Sequence, residues 1–213
     1  MCKRCLTWML LGTENSQSCR ICGKTLVSEI ELCSSCRESP VIKSCDGVYP
    51  LYSYRLWKKN LLFSWKMLEK RNLSSIFSKL VYARLNELQK TLGTNLSVVP
   101  VPPRPGKIRD RGWDQIDELC RYLHRGWNVK VLKLLRRNSV TQQKKLDRVQ
   151  RLETIGNAYS LVSQKRLKKI EIPETVVLVD DVLTTGSTIE NCAALLKSLG
   201  VKRVLAITLF VVD

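Results

Sequence analysis

Residues 176–188 read VVLVDDVLTTGST, and this stretch predicts both the fold and the place of the functional site. Four apolar residues open the run, as expected for a strand that is buried on both faces of a sheet. Asp180 and Asp181 follow the strand, and the small polar loop Thr184–Thr188 then leads into a predicted helix. This order of elements favours a ligand site in the crevice at the carboxyl end of a parallel sheet.

The residue types in this run suit a ligand that carries hydroxyl groups and a phosphate. Ionised carboxylates only accept hydrogen bonds, so Asp180 and Asp181 suit sugar hydroxyls and the water around a magnesium ion. The loop offers backbone N–H groups and hydroxyls, Gly186 permits a positive φ, and the helix N-terminus adds positive potential. Helix capping and a simple strand end would explain each residue singly, but not the whole run.

The rest of the chain alternates predicted strands and helices, which indicates an α/β fold with a mainly parallel sheet and helices on both faces. A Pro-rich loop follows the second strand, and the polar, basic stretch 136–157 has no clear assignment. A β-branched segment covers 128–134. The predicted strands lie near 47–54, 97–101, 158–162, 175–179 and 203–212, and the predicted helices over 56–66, 73–91, 113–124 and 187–199.

Six of the nine cysteines form C-x-x-C pairs, namely Cys2/Cys5, Cys19/Cys22 and Cys33/Cys36. The second and third pairs are ten residues apart, a spacing at which two tight turns can meet around one tetrahedral zinc ion. No further C-x-x-C pair is left to complete a four-cysteine site with Cys2 and Cys5. Whether these two residues bind metal is therefore open. We expect a zinc-ribbon module over residues 1–44 and the α/β domain over 45–213.

The net charge of +17 is concentrated in residues 98–169, where 18 Lys and Arg face 6 Asp and Glu. Such a basic region suits a ligand with several phosphates, and it suits a nucleic-acid backbone equally well. No apolar run is long enough for a membrane span, and the N-terminus lacks the apolar run of a signal peptide. We therefore expect a cytoplasmic protein.

The run VVLVDDVLTTGST resembles the phosphoribosyl pyrophosphate (PRPP) motif of type I phosphoribosyltransferases, without departure at a polar position. The resemblance implies that the catalytic-site acids Asp180 and Asp181 hold the ribose 2- and 3-hydroxyls. It implies that the 5-phosphate is held by Thr184, Thr185, Gly186, Ser187 and Thr188. It also implies Mg2+ on the pyrophosphate and a basic loop that cradles it, for which Arg104, Lys107, Arg109 and Arg111 have the right position. A solvated basic loop is the alternative.

Two further segments extend the resemblance to the ComF family, whose competence members assist uptake of single-stranded DNA in natural transformation. They are VPVPPRPGKIRDRGWDQ at 99–115 and SVTQQKKLDRVQRLETIGNAY at 139–159. The family often has Phe-Asn in place of Trp113-Asp114, and often four cysteine pairs where this chain has three. By resemblance, Gln143 and Arg151 belong to a mobile hood that closes over PRPP and excludes water. A basic loop without catalytic duty is the alternative.

Two functions follow from the resemblance. One is an enzyme of DNA uptake that transfers phosphoribose from PRPP to a nucleobase or another nucleophile, with Mg2+ at the ligand and structural Zn2+ in the ribbon. The other is a non-catalytic accessory that binds PRPP or a nucleotide, handles incoming single-stranded DNA and docks partners such as competence helicase-type proteins. The sequence names no acceptor, and the first function is the preferred hypothesis.

Overall fold

The computed structural model describes residues 17–55, 57–138 and 158–212. In this part of the chain, helices and strands alternate much as the sequence predicts. In chain order the elements are α1 (Ser34–Glu38), β1 (Gly47–Ser53), α2 (Trp57–Lys66), α3 (Asn72–Leu92), β2 (Ser97–Pro100), α4 (Lys107–Arg111), α5 (Gln115–Trp127), β3 (Leu135–Arg137), β4 (Tyr159–Leu161), α6 (Gln164–Leu167), β5 (Thr175–Leu183), α7 (Ser187–Ser198) and β6 (Arg203–Val211).

Four strands form a parallel sheet in the order β1-β6-β5-β2. The two strands at its centre, β5 and β6, are the longest in the described part of the chain and are almost entirely apolar. Strands β3 and β4 form a separate antiparallel pair. Segment 128–134 is not a strand of the sheet; it forms one parallel bridge, from Val131 to Val98 of β2. The predicted mainly parallel α/β fold is confirmed.

Both faces of the sheet are covered. Side chains alternate along a strand, so Val176 and Leu178 lie on one face while Val177 and Val179 lie on the other. The first face packs against α7, the β3–β4 pair and the cysteine segment. The second packs against α2, α3 and α5, where Trp65 and Phe77 are fully buried. Burial on both faces explains why the central strands are nearly continuous apolar runs.

Strand β5 is longer than predicted, and this changes the place of the acid pair. The sequence predicts a strand that stops at Val179, whereas β5 runs on to Leu183 because its pairing with β6 continues to Val211. Asp180 pairs with Thr208 of β6. The acids therefore belong to the strand itself and not to a loop that follows it. Strand alternation therefore directs the two carboxylates to opposite faces.

Two local signals also shape the segment that follows β2. The predicted basic loop contains the short helix α4, bounded by Gly106 and Gly112, which both have positive φ. Helix α5 begins after Asp114, whose side chain caps it by accepting hydrogen bonds from the backbone N–H groups of Ile116 and Asp117, both at 3.0 Å. Capping by Asp satisfies N–H groups that have no partner within the helix.

The cysteine segment packs directly on the parallel sheet. Gly23 has φ +71°, and a Cβ there would lie 2.3 Å from Cδ of Pro50 in β1, so only glycine fits. The connection to β1 is held by Glu190 of α7, which accepts hydrogen bonds from the N–H groups of Lys43 (2.7 Å) and Ser44 (2.8 Å). Among the described helices, none is long and apolar enough to cross a membrane.

Candidate functional site

A cleft of about 730 Å³ opens where β2 and β5 end at their carboxyl sides. Both acids of the predicted site line it, and so do Thr184 and Thr188 of the loop before α7. Residues of the segment that follows β2 also line it. The charged or hydrogen-bonding side chains around the cleft include Lys66, Arg104, Lys107, Asp110, Arg111, Asp114, Gln115, Arg137 and Tyr159.

The two acids differ in their surroundings. Asp181 forms an ion pair with Lys66 of α2, with Oδ2 2.6 Å from Nζ. Asp180 accepts a hydrogen bond from the N–H of Asp181 through Oδ1, at 2.8 Å. Burial, followed by the charge of Asp181, raises the pKa of the Asp180 carboxyl to about 8, although Lys66 opposes this shift. Near neutral pH the Asp180 carboxyl therefore keeps its proton.

Thr208 adds an unsatisfied group beside the acids. It is the register partner of Asp180 on β6, so both side chains lie on the same face of the sheet. Its hydroxyl is fully buried and has no hydrogen-bond partner among the described residues. Because unpaired buried hydroxyls are uncommon, the Thr208 hydroxyl indicates that a polar partner is missing on the face of the sheet that carries Asp180.

The loop before α7 has the geometry expected of an anion-binding turn. Gly186 is at φ +90°, and a Cβ there would lie 2.7 Å from Cγ1 of Ile42, so a side chain is excluded. The hydroxyls of Thr185 and Ser187 lie 3.0 Å apart and are exposed. Helix α7 starts at Ser187, and the N–H groups of its first turn have no partner within the helix. Thr184 and Thr188 face the cleft, whereas the other three loop residues do not line it.

The four basic residues predicted for the pyrophosphate side are split between two cavities. Arg104, Lys107 and Arg111 line the cleft of the acid pair, while Arg109 lines an adjoining cavity of about 490 Å³. Lys107 already donates to Asp114 (Nζ to Oδ2, 2.7 Å) and to Oε1 of Gln115. Within the described residues, the guanidinium groups of Arg104 and Arg111 have no ion-pair partner. They are the two cations most available to a ligand.

Sequence reasoning missed three residues of this cleft. Lys66 and Arg137 belong to no motif, and Tyr159 ends the segment 139–159 without a predicted role; the packing of α2 and of the β3–β4 pair brings all three to the cleft. The Arg137 guanidinium lies 5.4 Å from the centre of the Tyr159 ring, and Tyr159 is hydrogen-bonded to the side chain of Thr188. A single aromatic or lysine in an unassigned segment gives no sequence signal of its own.

The second and third cysteine pairs meet in one cluster. The Sγ atoms of Cys19, Cys22, Cys33 and Cys36 all lie within 4.8 Å of one another, and those of Cys22 and Cys33 are 3.7 Å apart. A tetrahedral zinc ion with Zn–S distances of about 2.3 Å would place sulfur atoms about 3.8 Å apart. The four side chains are therefore spaced as ligands of one metal ion.

The thiols of this cluster differ in how readily they ionise. Burial opposes ionisation of Cys19, but hydrogen bonds from the backbone of Cys22, Cys33 and Ile21 outweigh it and lower its pKa to about 6. Burial raises the pKa of Cys36 to about 11, and that of Cys22 is raised further. A divalent cation would stabilise all four thiolates together, so the donor set fits a metal ion.

Four predicted site residues lie outside the described part of the chain. They are Cys2 and Cys5 of the first cysteine pair, and Gln143 and Arg151 of the candidate hood. Their assignments stay predictions.

Comparison with known proteins supports the architecture. Residues 118–212 match the phosphoribosyl transferase domain family. The chain is 29% identical to competence protein F of Haemophilus influenzae, with 87% of this chain and 81% of the relative aligned. It is 27% identical to the DNA utilization protein YhgH of Escherichia coli K12 (84% and 77%), and 25% identical to competence protein ComFC of Streptococcus pneumoniae (92% and 88%). With the parallel sheet and the four-cysteine cluster, these similarities show that the chain resembles competence proteins of the ComF type over most of its length and that its C-terminal part matches a phosphoribosyl transferase domain.

Proposed function

We propose that the protein binds PRPP, or a closely related phosphoribosyl ligand, with Mg2+ and transfers its phosphoribose to an acceptor during DNA uptake. One observation carries this proposal: a single cleft is lined both by the acids Asp180 and Asp181 and by the basic residues Arg104 and Arg111. PRPP has the matching pattern, with hydroxyls on its ribose and phosphates at both ends. The relatives named for competence and DNA utilization supply the biological setting.

Each part of the cleft has a role in such a reaction. The acids accept hydrogen bonds from ribose hydroxyls, and the loop before α7 holds the 5-phosphate through N–H groups and hydroxyls. The bond from the anomeric carbon to pyrophosphate breaks as the acceptor bonds to that carbon. Arg104 and Arg111 stabilise the charge that the departing pyrophosphate gains. Bound Mg2+ would neutralise part of that charge, and Asp180 and Asp181 would be the residues that hydrogen-bond to its water ligands.

The second candidate is a PRPP- or nucleotide-binding accessory that does not catalyse transfer and handles single-stranded DNA. The positive charge of residues 98–169 favours it, because cations along one face attract a nucleic-acid backbone. Base stacking has less support: Trp65 and Trp113 are buried, and Trp127 is stacked on Tyr82 with ring centres 4.5 Å apart. Trp57 is partly exposed, at 37%.

Replacing both acids tests where the ligand binds. The double variant Asp180→Asn, Asp181→Asn should lose at least about 100-fold in affinity for PRPP, because the hydrogen bonds from the ribose hydroxyls to both carboxyl groups and the negative charge of the pair disappear. Isothermal titration calorimetry with PRPP and Mg2+ measures this loss. The matched control Glu171→Gln removes an exposed carboxylate outside the cleft and should bind as the wild type does. Unaltered affinity in the double variant would show that the ligand site lies elsewhere.

Turnover separates the enzyme from the accessory. The wild-type protein, incubated with PRPP, Mg2+ and single candidate bases, should release pyrophosphate with at least one of them, as a coupled phosphate assay would detect. The double variant serves as the blank. Tight PRPP binding without pyrophosphate release across purines, pyrimidines and nicotinate would instead favour the non-catalytic accessory.

We also propose that the four-cysteine cluster binds Zn2+ and that the ion stabilises the cysteine segment against the sheet. Cys33→Ser should lower the zinc content by one equivalent per chain and lower the melting temperature, measured by atomic emission and calorimetry. Cys45→Ser is the matched control, because the Cys45 thiol donates to the carbonyls of Gly47 and Val204 and lies outside the cluster. Equal zinc content in Cys33→Ser and the wild type would rule out this site.

The raised pKa of Asp180 predicts how stability depends on pH. Its pKa is about 8 in the folded protein and about 4 in an unfolded chain, so between these values only the folded state keeps the proton. The contribution of Asp180 to the free energy of unfolding therefore decreases as pH rises from about 4 to about 8. Without ligand, Asp180→Asn should unfold at higher urea concentration than the wild type at pH 8, and at nearly the same concentration at pH 4. Equal midpoints at both pH values would contradict the shift.

A further inference from the structure

Lys66 is the one cation in the described part of the cleft that contacts the acid pair directly. It is the last residue of α2, and its Nζ lies 2.6 Å from Oδ2 of Asp181. The side chains of Lys66 and Asp181 are 31% and 18% exposed. A half-buried pair of this kind is screened less by solvent than a surface pair, so it fixes the Asp181 carboxylate more firmly.

A hydrogen-bond network anchors the end of α2 that carries Lys66. The indole Nε1 of Trp65 donates to Oγ of Ser74 at 2.8 Å, and that hydroxyl donates to Oε2 of Glu118 at 2.7 Å. Arg71 donates to Oε1 of the same carboxylate, through Nε at 2.8 Å and also through its terminal nitrogen. Trp65 and Ser74 are fully buried. Because the neighbouring Trp65 is held in this way, the position of Lys66 is set by α3 and α5.

The same network reaches the basic wall of the cleft. The Arg71 guanidinium lies 5.4 Å from the ring centre of Trp113, which directly precedes the helix cap Asp114. Asp114 in turn accepts a hydrogen bond from Lys107. The position of Lys66 and that of the basic segment are therefore built on shared contacts.

The contacts of the acids leave one oxygen free on each. Oδ2 of Asp181 is taken by Lys66, and Oδ1 of Asp180 is taken by the N–H of Asp181. Within the described residues, Oδ1 of Asp181 and Oδ2 of Asp180 have no partner. Two unpartnered carboxyl oxygens on adjacent residues, of which that of Asp180 carries a proton below about pH 8, can form hydrogen bonds with two adjacent hydroxyls on one sugar ring.

We propose that Lys66 is a positioning residue that makes the cleft select ribosyl over deoxyribosyl ligands. Lys66 holds one carboxylate oxygen of Asp181, so that the other oxygen accepts a hydrogen bond from a ribose hydroxyl. For the identity of the ligand, this inference rests on the proposed function. A site built to bind a hydroxyl rejects the analogue that lacks it, because its acceptor is then left unpaired. Without Lys66, the Asp181 carboxylate can rotate or take up water, and this penalty disappears.

The test compares three sugar phosphates on the full chain by isothermal titration calorimetry: ribose 5-phosphate, 2-deoxyribose 5-phosphate and 3-deoxyribose 5-phosphate. The wild type should prefer ribose 5-phosphate over at least one deoxy analogue by about tenfold or more. Lys66→Met should reduce this ratio towards one, mainly by weakening ribose 5-phosphate. Lys66→Arg keeps the charge and should restore part of the ratio.

Lys70→Met is the matched control, since it removes an exposed lysine four residues away that does not line the cleft. It should keep the wild-type ratio. If a folded Lys66→Met variant keeps the wild-type ratio of affinities, the role of Lys66 is overturned and the proposed function stays intact. The same conclusion follows if the wild type binds PRPP but does not prefer ribose 5-phosphate over its deoxy analogues. A wild type that binds neither PRPP nor ribose 5-phosphate overturns both. If Lys66→Met does not fold, as seen by circular dichroism, Lys66→Gln decides by the same ratio.

Discussion

The constraint on which this structure depends is the placement of two neighbouring carboxylates on a strand that is buried on both faces. Strand geometry sends Asp180 and Asp181 to opposite sides of the sheet, so each needs its own compensation. Asp181 forms an ion pair with the ammonium group of Lys66, which α2 places over one face of the sheet. Asp180 forms no ion pair with the described residues, and burial together with the charge of Asp181 raises its pKa to about 8, so it stays protonated near neutral pH. The elements around β5 are arranged to meet these two needs.

The cysteine segment belongs to the same framework, since it contacts the loop that we assign to phosphate. Ile42 packs against Gly186, and Glu190 in the first turn of α7 holds the N–H groups of Lys43 and Ser44. These residues come only a few positions after Cys36, the last member of the cluster. The segment has little apolar surface of its own, so a bound metal ion would help to keep this support in place.

The sequence was sufficient for the features that follow from local pattern. An apolar run with acids and a Gly-containing loop predicted β5 and α7, and the spacing of Cys19, Cys22, Cys33 and Cys36 predicted their cluster. The sequence was not sufficient for features that are determined by contacts between residues distant in the chain. The extension of β5 depends on the length of β6, and the separation of Arg109 from the other cations depends on the short helix α4. Lys66 reaches the cleft only through the packing of α2 on α3 and α5.

The acid pair also bears on which ligand the basic part of the chain serves. A surface that served only a nucleic-acid backbone would gain nothing from two acids among its cations, because a carboxylate repels phosphate and ionising a desolvated carboxyl group lowers stability. DNA sugars also lack the 2-hydroxyl, and within a strand their 3-oxygen is esterified. Acids and basic residues that line the same cleft instead suit a ligand with neighbouring free hydroxyls and several phosphates. The charge of +17 therefore supports a phosphoribosyl ligand best where it meets Asp180 and Asp181, and DNA binding would have to use cations away from that cleft.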